Sequence, residues 1–279
     1  LHSPYTLSLH DALPICEFTR TKNNAAISFE VSPGKIVIEC NEDGFTERDV
    51  VQICDTAKSW KKSRPGYIGE KGLGFKSVFQ VASRVHIQSN SFSFSFEYNG
   101  EPESIKKLGI ITPIPEDDII PLRERPLTRM TLCLHERIPY DELVSQFTTI
   151  PNTLLLFLSK IREISIKIHF PDQRSTTTRF RRSDEESGVT RLSKLAGDSE
   201  IGDENWYIVT RTTATELPDV ATRVGIKECE VVLAFPVDSG RRPLVYPLVS
   251  LQYDVFAFLP VCTAGFNVSL FMSSYIYLH

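Results

Sequence analysis

Three glycines within six positions make Gly69-Glu70-Lys71-Gly72-Leu73-Gly74-Phe75-Lys76-Ser77 the stretch best suited to holding a ligand with its backbone. Glycine has no Cβ to keep a ligand away and adopts backbone angles closed to other residues. Phe75, Val78, Phe79 and Ala82 then fall at i, i+3, i+4 and i+7, which predicts an amphipathic helix starting where the glycines end. The first turn of a helix presents unpaired N–H groups and the positive end of its dipole, a seat for phosphate. Lys71 and Lys76 add positive charge there, so the stretch reads as a nucleotide-phosphate loop. Two other readings compete. Gly69 to Gly74 has the glycine spacing of a G-x-x-x-x-G-K-[ST] loop, but Phe75 intervenes before Lys76-Ser77. That motif also springs from a buried strand, whereas residues 58–66 are rich in Lys, Ser, Arg, Pro and Gly. The second is a plain glycine turn that packs a helix on a sheet, since an isolated glycine motif is weak evidence.

The segment upstream bears on the choice. Lys35-Ile36-Val37-Ile38-Glu39-Cys40 predicts a short buried strand, followed by the acidic turn Asn41-Glu42-Asp43-Gly44-Phe45-Thr46. Thr46 with Asp49 three residues on predicts a box-like helix start, and Val50, Ile53, Cys54 and Ala57 supply the helix's apolar face. The order is strand, acidic turn, helix, basic loop, glycine loop, helix. In this order and spacing the chain resembles the GHKL ATP-binding domains of gyrase B, the ninety-kilodalton heat-shock chaperones, histidine kinases and MutL. It is most similar to the branch of sacsin and the NO VEIN-type plant proteins. There the acidic turn reads roughly Asn-acid-x-Gly-Phe-Thr and the glycine loop Gly-x-x-Gly-x-Gly-Phe-x-Ser. The resemblance covers about residues 17–266.

The resemblance implies an α+β fold, a two-layer α/β sandwich of the Bergerat ATP-binding type, joined to an incomplete second α/β domain. It implies ATP or ADP as ligand. An acidic residue after the second strand accepts the adenine amino group: Asp43 is the first choice, with Glu42 and Asn41 close behind. A carboxylate suits this role because, when ionised, it only accepts hydrogen bonds. Gly44 lets the backbone pass under the base. Gly69, Gly72 and Gly74 wrap the phosphates, with Lys71, Leu73, Lys76 and Ser77 in the same loop, while Phe75 plugs the following helix into the core. Thr128, in Leu127-Thr128-Arg129-Met130-Thr131-Leu132, matches a threonine facing the adenine; an ordinary edge-strand threonine is the competing account.

The resemblance also implies a preceding helix with a water-activating Glu and an Asn that holds Mg²⁺. Residues 1–15 instead resemble a translated sequencing adapter and lack the basic start and apolar core of a signal peptide. Glu17 lies past that helix and reads as a solvated residue. A general base must reach its water, and a Mg²⁺ site with few protein ligands depends on each of them. Mg²⁺ and hydrolysis are therefore expected only of an intact parent. The expected function is an ATP-binding module of a large intracellular, cytoplasmic or nuclear, chaperone-like or scaffold protein that meets client or partner proteins. The alternative is a degenerate interaction domain without nucleotide, and a phosphotransferase with a P-loop is a third class.

The remaining sequence sets bounds. Net charge is −4, with 41% hydrophobic and 24% charged residues, as in ordinary globular chains. No basic field calls for nucleic acid. Cys16, Cys40, Cys54, Cys133, Cys229 and Cys262 have no metal-type spacing, and His86, His135 and His169 are isolated. Val85–Gln88 and Ser91–Tyr98 predict strands around a Ser89-Asn90 turn, the second with an aromatic face buried and a serine face wet. Residues 99–127 read as an irregular crossing and 129–135 as a strand that closes the first domain, residues 16–149. The second, residues 150–266, opens with a helix through Leu154–Leu158 and Ile161. A strand follows with Ile164, Ile166, Ile168 and Phe170 on one face. Part of residues 172–205 reads as a mobile excursion, with Arg179-Phe180-Arg181-Arg182 and Asp184-Glu185-Glu186 in a solvated loop. Trp206–Thr212, Cys229–Val237 and Val255–Val261 predict further strands, and 267–279 an aberrant tail. Val255 to Leu278 is largely apolar, but Pro260, Gly265 and its Ser and Asn content argue against a membrane span.

Overall fold

The computed structural model describes residues 18–19, 24–54, 75–98, 112–117, 128–158, 160–186, 188–197, 204–214, 229–238, 240–242, 244, 253–257, 259–264 and 269–272. The chain divides into two compact units, residues 1–150 with 163–179 and residues 151–162 with 180–279.

In the first unit, β1 (Ala26–Ser32) and β2 (Lys35–Cys40) form a hairpin around Gly34, whose φ of +73° suits glycine. Then come α1 (Glu47–Cys54), a 3-10 helix (Phe75–Gln80), β3 (Ala82–Ser89), β4 (Phe92–Glu97) and β5 (Ile114–Pro115). The unit continues with β6 (Thr128–Leu134), α2 (Tyr140–Thr148) and β7 (Glu163–His169). The strand order is β7-β1-β2-β6-β3-β4-β5, with β1 and β7 parallel and the remaining pairs antiparallel. Period-two alternation builds one apolar face. Ile27, Phe29 and Val31, Ile36 and Ile38, Val85 and Ile87, Met130 and Leu132, and Ile164, Ile166 and Ile168 are all buried. Helix α2 packs there through Phe147, whose ring centroid lies 5.6 Å from that of Phe29. The serine side of β4 departs from expectation: Ser95 is fully buried opposite His86, two positions along β3 from Arg84, which pairs with Glu97 and Glu116.

In the second unit, α3 (Leu154–Phe157) is followed by β8 (Ser175–Asp184, of which 180–184 belong here), β9 (Val189–Ala196) and β10 (Glu204–Ala214). The last strands are β11 (Cys229–Val237), β12 (Tyr253–Ala257), β13 (Leu259–Ala264) and β14 (Ser269–Met272). Their order is β13-β12-β14-β11-β10-β9-β8. The predicted excursion over 172–205 is largely the β8–β9 hairpin, with Gly188 at φ +79° in its turn. Nor is Arg182 a solvated loop residue. Its side chain is 8% exposed; Nη1 donates to the carbonyls of Leu155, Leu156 and Leu158 at 3.1–3.4 Å, and Nε to Asp184 Oδ1 at 2.8 Å. A helix leaves its last carbonyls unpaired, and here the guanidinium satisfies them. The predicted strand Val255–Val261 is two antiparallel strands, and residues 269–272 of the predicted tail pair with β11 and β12.

The expected two-layer α/β sandwich with an incomplete second α/β domain is incorrect. Among the described residues, mixed β-sheet dominates, with fourteen strands against three α-helices. The segments expected to be helical contribute little. Phe75 to Ala82 yields a six-residue 3-10 helix, because Ala82 already pairs with Leu134 as the first residue of β3. β3 is flanked on both sides by strands, and that pairing outweighs a local helical spacing. The helix expected through Ile161 stops after four residues.

Burial alone would raise the Asp184 carboxyl. The hydrogen bonds from Arg182 and Thr190 and the charges of Arg182 and Arg162 outweigh it and hold the group below the usual aspartate range. A carboxyl depressed by folding stabilises the fold above its unfolded pKa and loses that contribution as pH falls through its folded value. Urea midpoints should therefore fall in wild type below about pH 4. Asp184→Asn should be less stable at pH 7 by roughly 1 kcal/mol, a screened charge-assisted bond, with the gap closing on acidification.

Candidate functional site

The acidic turn is fastened at its start by Asn41. Its N–H donates to the Ala26 carbonyl at 3.3 Å, its Oδ1 accepts from the Ala26 N–H at 2.7 Å, and its Nδ2 donates to the Asn24 carbonyl at 2.7 Å. The side-chain amide so extends the β1–β2 ladder one step beyond Cys40. Glu42 is buried, 2% exposed. Asp43 is half-buried, and its Oδ2 accepts from the Thr19 N–H at 2.8 Å and the Thr19 hydroxyl at 2.6 Å. Gly44 has φ +81°, a left-handed conformation that favours glycine. Thr46 and Asp49 make the reciprocal cap expected of them: Thr46 N–H and Oγ1 donate to Asp49 Oδ2 at 2.9 and 2.7 Å, and Asp49 N–H donates to Thr46 Oγ1 at 3.4 Å.

The far side of the turn rests on the β3–β4 hairpin. Phe45 N–H donates to Ser89 Oγ at 2.8 Å, and Ser89 Oγ lies 2.5 Å from Thr128 Oγ1. Asn90, at φ 51°, donates from Nδ2 to the Phe45 carbonyl at 3.1 Å and the Asp43 carbonyl at 3.3 Å. Its amide fills the space beside Gly44, where a Cβ would come within 2.3–2.5 Å of it. Thr128, 6% exposed, pairs with Cys40 on one side and Ser89 on the other. Three strand ends, Cys40 of β2, Thr128 of β6 and Ser89 of β3, thus form one row beneath the turn. The structure brings Asn41, Glu42, Asp43, Gly44 and Thr128 together.

Phe75 opens the 3-10 helix and is buried, its ring centroid 5.5 Å from Phe96 and 6.1 Å from Phe79. Gly69, Lys71, Gly72, Leu73 and Gly74 lie outside the described residues, as do the side chains of Lys76 and Ser77 and the expectation for Glu17. Thr19, Asn24, Ser89 and Asn90 were not singled out as site residues. The Ser89-Asn90 turn was legible, since Asn tolerates the left-handed region, but a contact across 44 residues carries no local signal. Among the described residues no group of three or more His, Cys, Asp and Glu side chains is placed to hold a metal ion. No helix among them is long and apolar enough to cross a membrane.

No protein-family model matches the chain. The similarity is to Protein NO VEIN of Arabidopsis thaliana. Identity is 29% over 259 residues, covering 86% of this chain and 9% of that protein. The chain thus has a NO VEIN-like relationship over most of its length, while spanning less than a tenth of the relative.

Gly44→Ala should destabilise the first unit by about 2 kcal/mol, from left-handed strain plus eviction of the Asn90 amide. Because eviction is shared, Asn90→Ala should cost less in the Gly44→Ala background than in wild type. Urea unfolding of the four proteins in the cycle checks this.

Proposed function

We propose that the first unit binds an adenine nucleotide, ATP or ADP, at the acidic turn, as a module of a larger NO VEIN-like protein. The supporting observation is the row of Cys40, Thr128 and Ser89 beneath Asn41–Phe45, which gathers the acidic turn and the distant threonine at one end of the sheet. Asp43 is assigned the adenine amino group. Asn41 uses both ends of its amide to fasten β1, and Glu42 is buried, whereas Asp43 is partly exposed. A carboxylate accepts up to about four hydrogen bonds, so its bonds from Thr19 are compatible with a purine donor. Gly44 lets the turn lie against the Asn90 amide, which occupies the volume a Cβ there would take. The phosphates are assigned to Gly69–Ser77 on the strength of the GHKL-like motif order. The proposal covers binding; no hydrolytic or Mg²⁺-dependent step is assigned to this chain. The parent is proposed to be a chaperone-like or scaffold protein whose nucleotide state gates contacts with client proteins.

The second reading, an interaction domain without nucleotide, draws support from the same geometry: Asn41, Asp43 and Thr128 already bond to protein groups. Isothermal titration of the 279-residue chain with ATP and ADP separates the two. Saturable binding that weakens by about ten- to a hundredfold in Asp43→Ala, the range for a hydrogen bond to a charged group, is the expected result. A folded chain that gives no saturable heat favours the interaction domain. Loss of binding in Lys76→Ala alone, with Asp43→Ala unaffected, assigns the phosphates to a P-loop instead.

A further inference from the structure

We infer that Ser89 and Asn90, at the tip of the β3–β4 hairpin, are positioning residues for the nucleotide site; the inference rests on the adenine-nucleotide reading above. Neither residue belongs to the acidic or the glycine motif. Ser89 Oγ bonds both the turn, through the Phe45 N–H at 2.8 Å, and the hydroxyl of Thr128, at 2.5 Å. Ser89 is fully buried, so no solvent competes for these bonds. A hydroxyl supplies a single donor hydrogen. When Ser89 donates to Thr128, the Thr128 hydrogen is directed to another acceptor; when Thr128 donates to Ser89, it is not. Ser89 thereby sets whether Thr128 offers a ligand a donor.

Asn90 fixes the other coordinate. Its amide donates to the carbonyls on either side of Gly44, those of Asp43 and Phe45, at 3.3 and 3.1 Å. The bond to the Asp43 carbonyl fixes the peptide plane between Asp43 and Gly44, the Phe45 N–H bond to Ser89 fixes the next one, and together they set the backbone from which the Asp43 side chain leaves. The match is steric as well as polar, because the amide occupies the volume a Cβ at position 44 would take. Asn90 holds the backbone of the turn while Thr19 holds the Asp43 carboxylate, so the group meets the ligand already oriented and binding costs less ordering.

The test uses the full chain and ATP. Asn90→Gly is the main variant, since glycine accepts φ 51° and the hairpin keeps its shape while the amide is lost. It should weaken ATP by about tenfold, the equivalent of one to two neutral hydrogen bonds, when measured at a temperature where the somewhat less stable variant is still fully folded. Ser89→Ala and Thr128→Val should each weaken ATP, and the double variant should be no weaker than the worse single one, because both act through one hydroxyl pair. A scaffolding role alone predicts additive losses that follow the melting temperature. Asn90→Gly binding ATP as wild type does, while Asp43→Ala still loses it, overturns this inference alone. Wild type failing to bind ATP overturns the nucleotide reading and this inference with it.

Discussion

A single buried hydroxyl, that of Ser89, ties together parts of the chain that local sequence leaves independent. Phe45 lies in the acidic turn, Ser89 ends β3 and Thr128 begins β6, and the three meet within hydrogen-bonding distance in a site closed to water. A bond in such a site is electrostatically stronger than in solvent, and an unpaired group there is correspondingly costly. The turn's geometry is therefore inherited from the sheet. The register that sets Cys40, Thr128 and Ser89 side by side is fixed by the alternation of Ile36, Ile38, Val85, Ile87, Met130 and Leu132. Slipping any of these strands by one residue would turn its apolar side chains outward.

The second unit solves a different problem with similar means. Its short helix α3 is only four residues long, too short to be stable by its own hydrogen bonds. The guanidinium of Arg182 reaches from β8 to the carbonyls at the helix end while Asp184 and Thr190 balance and orient it. Burying a charge is tolerable only when its donors are met, and this arrangement meets them. Within a charged run that reads as solvent-exposed in isolation, Arg182 becomes a buried anchor once strand pairing fixes which residues face inward, while Arg181 stays exposed.

The parts of the structure legible in sequence were those with short-range causes. The strand Lys35–Cys40, the cap at Thr46 and Asp49, the alternating faces of β7 and the turn at Ser89-Asn90 follow from neighbours a few residues apart. The nearness of the acidic turn to Thr128 was anticipated through family resemblance, not through any local pattern. The balance of helix and strand was misjudged. Spacing at i, i+3 and i+4 beyond Phe75 reports which residues face the core, but strand pairing on both edges of β3 decides the backbone state. The polar segment 175–196 shows the converse: Ser, Thr and Arg outnumber apolar residues, yet Phe180, Val189 and Leu192 suffice to seat a hairpin.

The fit of Asn90 against Gly44 makes positions 44 and 90 a single heritable unit. A methyl group at 44 expels the amide at 90, so a lineage that gains a side chain at one position must shrink the other to keep the turn in place. A side chain gained at 44 alone is closed off, although 46 residues separate the two positions. Paired change between these two columns is the mark this contact would leave among diverging descendants.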